Sequence, residues 1–245
     1  MNRVDLAREI IQVAFEKKEG HIASALSVLD FVTEYFSKDR SDDSFIMSKG
    51  HASLALYAGL YLSGKLSIQE FRTFCEPSSS LGGHPSSRKI PSVTLSTGSL
   101  GHGLPFACGL AIAKKNKGES GRVYCLIGDG EANEGTTWES ALFASTYALD
   151  NLTCFMDFNK SGERAIRMEG AAKRFSAFGW SSFEIDGHFK ADISSAIQKS
   201  AAKPIFVQMN TVKGKGCPIM EGNPEWHHKS PSSQEELETL IKSLY

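Results

Sequence analysis

Val123-Tyr124-Cys125-Leu126-Ile127 is a run of five β-prone residues that stops at Gly128-Asp129-Gly130. A short apolar run without polar alternation, closed by turn residues, reads as a strand buried on both faces. Two more runs follow the same rule: Leu152-Thr153-Cys154-Phe155-Met156 stops at Asp157, and Ile205-Phe206-Val207-Gln208-Met209 stops at Asn210. Between the first two, Trp138 to Tyr147 has helical spacing, with Trp138, Ala141, Leu142 and Ser145 along one side. Upstream, Leu104 to Lys114 is rich in alanine and glycine, as suits a helix packed closely on a sheet. Strands alternating with helices predict an α/β fold: a doubly wound, mainly parallel sheet with helices on both faces. Ligands in such sheets bind at the carboxyl ends of the strands.

Composition bounds the rest. At roughly 150 residues per domain, 245 residues correspond to about 1.6 domains. With no internal repeat or low-complexity linker, and with Pro77 to Pro91 reading as a long loop, a single domain over the whole length is expected. A formal net charge of −1 argues against a broad basic face for nucleic acid. The five cysteines, Cys75, Cys108, Cys125, Cys154 and Cys217, form no C-x-x-C pair, which fits a reduced cytoplasmic chain. No stretch approaches the roughly 18 apolar residues of a membrane span, and the amino terminus reads as an amphipathic helix rather than a signal peptide.

The strand ends carry the chemistry. Asp129 and Asn159 lie thirty residues apart, enough for one crossover helix and one strand, so both fall at the tops of neighbouring strands. A carboxylate and an amide oxygen, helped by a backbone carbonyl, suit Mg²⁺ or Ca²⁺ holding a phosphorylated ligand. Gly130 lets the backbone approach a phosphate, and the helix starting near Glu134 offers its amino-terminal dipole. A lone G-D-G is more often an ordinary turn.

The wider pattern changes that balance. G-D-G, Glu134, Glu139 and Asp157-x-Asn159 together resemble the thiamine diphosphate signature, which opens on G-D-G and closes on asparagine about thirty residues later. Gly20-His21-Ile22-Ala23-Ser24-Ala25-Leu26-Ser27 is similar to the transketolase G-H-x-G-G-x-L-S motif, and Ser48-Lys49-Gly50-His51-Ala52 matches its S-K-G-H-A. Gly83-His84-Pro85 matches G-H-P, and Ser96-Thr97-Gly98-Ser99-Leu100-Gly101-His102-Gly103 resembles S-T-G-S-L-G-Q-G. Thr211-Val212-Lys213-Gly214-Lys215-Gly216 and Trp226-His227 complete the series, which runs in order from Gly20 to about Pro231.

The resemblance implies a two-carbon ketol transfer between sugars, dependent on thiamine diphosphate and Mg²⁺ (or Ca²⁺). By the same resemblance Asp129, Asn159 and the Ser161 carbonyl bind the cation. His51, Gly130 and His227 contact the diphosphate, Leu100 packs on the thiazolium, and the Gly98 backbone faces the aminopyrimidine. His21, His51, His84 and His227 line the substrate channel, and Glu134 and Glu139 link active sites across a dimer interface. Histidine suits proton transfer near neutral pH because its unperturbed pKa is about 6.5.

Several positions depart from the family pattern. Ala23 and Ala25 stand where smaller residues are usual, His102 where glutamine is, Thr94 where glutamate is, and His228 where glycine is. Asn159-Lys160-Ser161-Gly162-Glu163-Arg164 lacks the usual hydrophobic residues and the following I-D-G. These departures point to a specialised substrate. Full-length transketolases also carry pyrimidine-binding and C-terminal domains. Their functions are expected here on a second subunit in an α2β2 assembly. The rival readings are another thiamine diphosphate enzyme, of the deoxyxylulose-phosphate synthase or 2-oxoacid dehydrogenase α type, or a catalytically silent homologue. A nicotinamide-binding fold is set aside because Gly98, Gly101 and Gly103 have the wrong order for G-x-G-x-x-G.

Overall fold

The computed structural model describes residues 1–167 and 169–245, Arg164 among them by its backbone alone. Along the chain the helices are α1 (Arg3–Lys17), α2 (Ile22–Ser27), α3 (Leu29–Phe36), α4 (Ser53–Leu62) and α5 (Ile68–Phe71). They continue as α6 (Gly103–Lys117), α7 (Gly135–Thr146), α8 (Ala171–Ala177), α9 (Lys190–Gln198) and α10 (Gln234–Ser243). The strands are β1 (Ser44–Met47), β2 (Val123–Gly128), β3 (Leu152–Phe158), β4 (Ser181–Asp186) and β5 (Ile205–Asn210). The chain forms two compact units.

The first unit, residues 40–49 and 97–210, holds the sheet. Among the described residues the five strands run in the order β1-β2-β3-β5-β4, every neighbour parallel. Helices surround them: α6 packs against β1, β2 and β3, α7 against α6, and α8 against β4 and β5. The three predicted strands are present, each extended by one or two residues to Gly128, Phe158 and Asn210. β2, β3 and β5 are buried almost throughout, as their apolar runs require. Phe175 stacks on Phe206 with ring centroids 3.8 Å apart, and the Tyr124 hydroxyl donates to the Ile197 carbonyl at 3.0 Å. Each fully buried large apolar side chain of this kind contributes roughly 1.5–3 kcal/mol.

Two details correct the helical reading. In α7 the buried side is Thr137, Ser140, Ala141 and Ala144, while Leu142 is 58% exposed. Small residues, not the leucine, face inward there because α7 packs closely on α6. Between β2 and α7 a 3-10 turn, Asp129–Asn133, intervenes, so the dipole at Glu134 begins a full turn after Asp129. β1 and β4 escaped the pattern because they are edge strands, β1 only four residues long and β4 half exposed along its length.

The second unit, residues 1–39, 50–96 and 211–245, is helical. Asn2 caps α1 in a reciprocal box with Asp5. Arg3 ties that end to Asp30 of α3 at 2.8 Å and to the Lys215 carbonyl at 2.6 Å. The long loop after α5 is held from within: Ser53 and Tyr57 of α4 donate to the Gly83 and Gly82 carbonyls. Among the described residues, no helix is long and apolar enough to cross a membrane.

Candidate functional site

Because β1, β2 and β3 are adjacent and parallel, the residues after their last positions come up together at one edge of the sheet. These are Ser48 and Lys49, then Asp129 and Gly130, then Asn159. Asp129 is buried, and its Oδ1 accepts the backbone N–H groups of Gly130 (2.8 Å) and Gly162 (3.1 Å). Its other oxygen, Oδ2, is buried with no hydrogen-bond partner. Burial, and secondarily the nearby Asp157 charge, raise the Asp129 pKa against the pull of those N–H groups and Lys49. A buried carboxylate oxygen without a partner is costly unless something positive meets it.

Asn159 is oriented by its neighbours. Its Nδ2 donates to Asp157 Oδ2 at 2.8 Å, and its Oδ1 accepts the Ser161 N–H at 3.0 Å. Asp157 is itself fully buried in an ion pair with Lys49. A buried pair of this kind adds little to stability, but it sets which way the Asn159 amide faces. An amide oxygen is the kind of acceptor that hard cations take as a ligand. One carboxylate oxygen and one amide oxygen form a hard-oxygen donor set, which fits Mg²⁺ or Ca²⁺.

The departing segment after Asn159 makes structural sense. A Cβ on Gly162 would lie 2.7 Å from the Gly130 nitrogen and 3.0 Å from the Asp129 carbonyl carbon. Glycine is required there so that its N–H can reach Asp129. Gly130 itself is different: an added Cβ would meet only Gly162 Cα, at 3.9 Å. Protein packing does not demand that glycine, which leaves its backbone open to a ligand.

The loop carrying Gly98 and Leu100 is fixed at both ends. Thr97 Oγ1 donates to the Met47 carbonyl (2.7 Å), the Gly101 N–H to Glu131 (3.0 Å), and Thr136 Oγ1 to the Gly101 carbonyl (2.7 Å). Gly98 has φ 153° and Gly101 φ 78°, and a Cβ at Gly101 would strike Glu134 and Thr136 at 2.6 Å. His102 is exposed, its Nδ1 2.9 Å from the Leu100 carbonyl. Glu134 caps α7 without a side-chain bond. Exposed Glu139 lines a groove of about 330 Å³ along α6 and α7, together with Pro105, Cys108, Thr136 and Phe143.

Five of the seven histidines lie in the helical unit. The His21 ring lies 5.3 Å from His51, 5.9 Å from His227 and 4.3 Å from His228, on which it stacks. Burial first, then the charges of His228, His227 and His84, lower the His21 pKa to about 4. His21 is therefore neutral at physiological pH. His84 is exposed and acts on the cluster through its charge. Lys213, buried, lies 2.6 Å from His227 Nδ1. An ammonium group cannot accept, so Nδ1 accepts and the neutral ring carries its proton on Nε2. His228 Nε2 donates to Glu19 at 2.9 Å and, as the largest cause, holds that carboxylate below its usual pKa. Glu131, Lys49, Lys213, Gly162 and Glu19 were not among the residues singled out for roles. Lys49 and Lys213 stand inside quoted motifs, which was the signal available.

Residues 11–244 match the transketolase, thiamine diphosphate binding domain. The chain belongs to that family. Within this transketolase family it is 39% identical to a subunit of the apulose-4-phosphate transketolase of Actinobacillus succinogenes, over 92% of this chain and 87% of that one. It is 34% identical to the 6-deoxy-6-sulfo-D-fructose transketolase subunit of a Clostridium species, covering 85% of this chain and 82% of the relative. Its fold is similar to the crystal structure of Campylobacter jejuni transketolase, with TM-score 0.85 and 29% identity, covering 98% of this chain and 41% of that one. The expected fold and the resemblance to split transketolases are thus borne out.

Proposed function

We propose that this chain is the diphosphate-binding subunit of a two-chain transketolase, its two compact units serving as one such domain. It takes part in transferring a two-carbon ketol unit from a ketose to an aldose of a specialised sugar phosphate pathway. The observation that carries this reading is the unpartnered Asp129 Oδ2, set beside an oriented Asn159 amide at the ends of two adjacent strands in a member of this family. When bound, thiamine diphosphate supplies a nucleophilic thiazolium carbon and an electron sink that lets a ketose C–C bond break.

The chain's own residues do the remainder. Asp129, Asn159 and the Ser161 carbonyl hold Mg²⁺ (or Ca²⁺), and His51, Gly130 and His227 contact the diphosphate. Leu100 supports the thiazolium ring, and the Gly98 backbone faces the aminopyrimidine. His227 presents Nε2–H as a donor because Lys213 occupies Nδ1. Neutral His21 accepts a hydrogen bond or proton from a sugar hydroxyl, and His51 and His84 bind further hydroxyls. Glu134 and Glu139 act in communication across a dimer interface.

The partner is a second subunit with pyrimidine-binding and C-terminal domains, assembled as α2β2. Relatives matched over most of their length are named as subunits, which supports it. The exposed apolar side chains of α6 and α7 beside Glu139 support it as well. Free cysteines fit a cytoplasmic setting. Calorimetry with thiamine diphosphate and Mg²⁺, with and without the partner chain, tests the reading. Cofactor binding, and ketose-to-aldose turnover on mixing the two chains, are expected. Absence of cofactor binding in both conditions overturns it.

A further inference from the structure

Glu131 follows G-D-G directly, is 1% exposed, and lies outside the roles assigned so far. Its carboxylate accepts three donors. Oε1 receives the Ser48 hydroxyl at 2.6 Å and the Gly101 N–H at 3.0 Å, and Oε2 receives the Gly128 N–H at 2.9 Å. The three donors come from separate stretches of chain. Ser48 follows β1, Gly101 closes the loop before α6, and Gly128 ends β2. Two of the stretches stand next to a residue proposed above for the cofactor, Asp129 after Gly128 and Leu100 before Gly101, and Ser48 precedes Lys49, the ion-pair partner of Asp157.

We propose that Glu131 is a positioning residue that sets the spacing of these three loops, and through it the placement of Asp129 and Leu100 around the bound cofactor. The tie needs a carboxylate. Two oxygens with about four lone-pair sites can accept all three donors, whereas a carboxamide of the same shape offers one acceptor oxygen. In a Gln the NH₂ end faces either the Gly128 N–H or the pair from Ser48 and Gly101, donor against donor. Packing carries the tie onward. A Cβ on Gly103, which opens α6, would stand 2.2 Å from Ser48 Oγ, so the segments already touch. Small displacements at one are therefore passed to the next.

The inference rests on the thiamine diphosphate reading, and its test separates the two. Glu131→Gln is compared with wild type, Ser48→Ala and Ile193→Ala by calorimetry with thiamine diphosphate and Mg²⁺, thermal unfolding and residue-resolved amide exchange. Ile193 is a buried residue of α9 and serves as the purely structural control. Loss of outer positioning groups commonly weakens binding about 10–100-fold, and at least tenfold weaker cofactor binding is expected for Glu131→Gln. Amide protection should fall at Gly101 and Gly128 and remain at Leu126. Ile193→Ala should lower the unfolding temperature while binding the cofactor as wild type does. Cofactor affinity for Glu131→Gln within about twofold of a binding wild type, or unchanged protection at Gly101 and Gly128, overturns the inference. If Glu131→Gln does not fold, Ser48→Ala decides: weaker cofactor binding supports the tie, and unchanged binding overturns it. Wild type that fails to bind thiamine diphosphate both with and without the partner chain sinks the functional reading, and the amide protection of Glu131→Gln then decides the inference alone.

Discussion

Asp129 holds a negative charge in a buried place with one oxygen unsatisfied, an arrangement that favours ligand over stability. Asp129→Asn removes that charge while keeping the oxygen that accepts from Gly130 and Gly162. The cofactor-free variant should be about 0.5–2 kcal/mol more stable than wild type by chemical unfolding. Calorimetry should show its Mg²⁺-dependent cofactor binding lost. His21 makes a second residue-scale prediction. Its folded pKa of about 4 lies below the ordinary histidine value of 6.5, so between these values the unfolded chain binds more protons than the folded one. Stability should therefore rise as pH climbs from about 4 to 6.5. His21→Gln should flatten that slope in unfolding measured across the same window.

At the scale of elements, the turn after β3 works by letting two backbones touch. Gly162→Ala places a methyl 2.7 Å from the Gly130 nitrogen, and both backbones must shift. A cost of about 1–3 kcal/mol in unfolding free energy is expected, with weaker cofactor binding measured alongside it. The same elements show what was readable in the chain. β2, β3 and β5 were legible because strands buried on both faces are uninterrupted apolar runs. α2 and α4 were not, because helices buried on nearly every side lose the polar–apolar periodicity that marks a surface helix. Leu142 was misassigned for a related reason. An apolar residue at helical spacing reads as core, but here it lies on an exposed face of α7.

That exposed face belongs to the scale of the whole molecule. Phe106 of α6 and Leu142, Phe143 and Tyr147 of α7 and its end are large apolar side chains open to solvent, and the Phe143 and Tyr147 rings lie 4.5 Å apart. Clustered aromatic groups of this sort mark association surfaces. Phe143→Asp should weaken assembly with the partner or with a second copy by about 2 kcal/mol or more, while the circular dichroism of the chain is unchanged. Sedimentation of the mixed subunits measures it, and undiminished association would refute this surface. The sequence by itself determined the parallel α/β class, the strand ends at which Asp129 and Asn159 stand, and the motif order that marks a transketolase chain. The first two follow from local composition and spacing, which a linear string records directly, and the third from the resemblance of its motifs to those of the family. Only the tertiary structure decided that Glu131 gathers Ser48, Gly101 and Gly128, that Lys213 sets the tautomer of His227, and that Gly162 braces Asp129. Apart from Glu131 with Gly128, those are short-range contacts between residues distant in sequence. Hydrogen bonds and packing act over a few ångströms, a scale that sequence spacing does not specify.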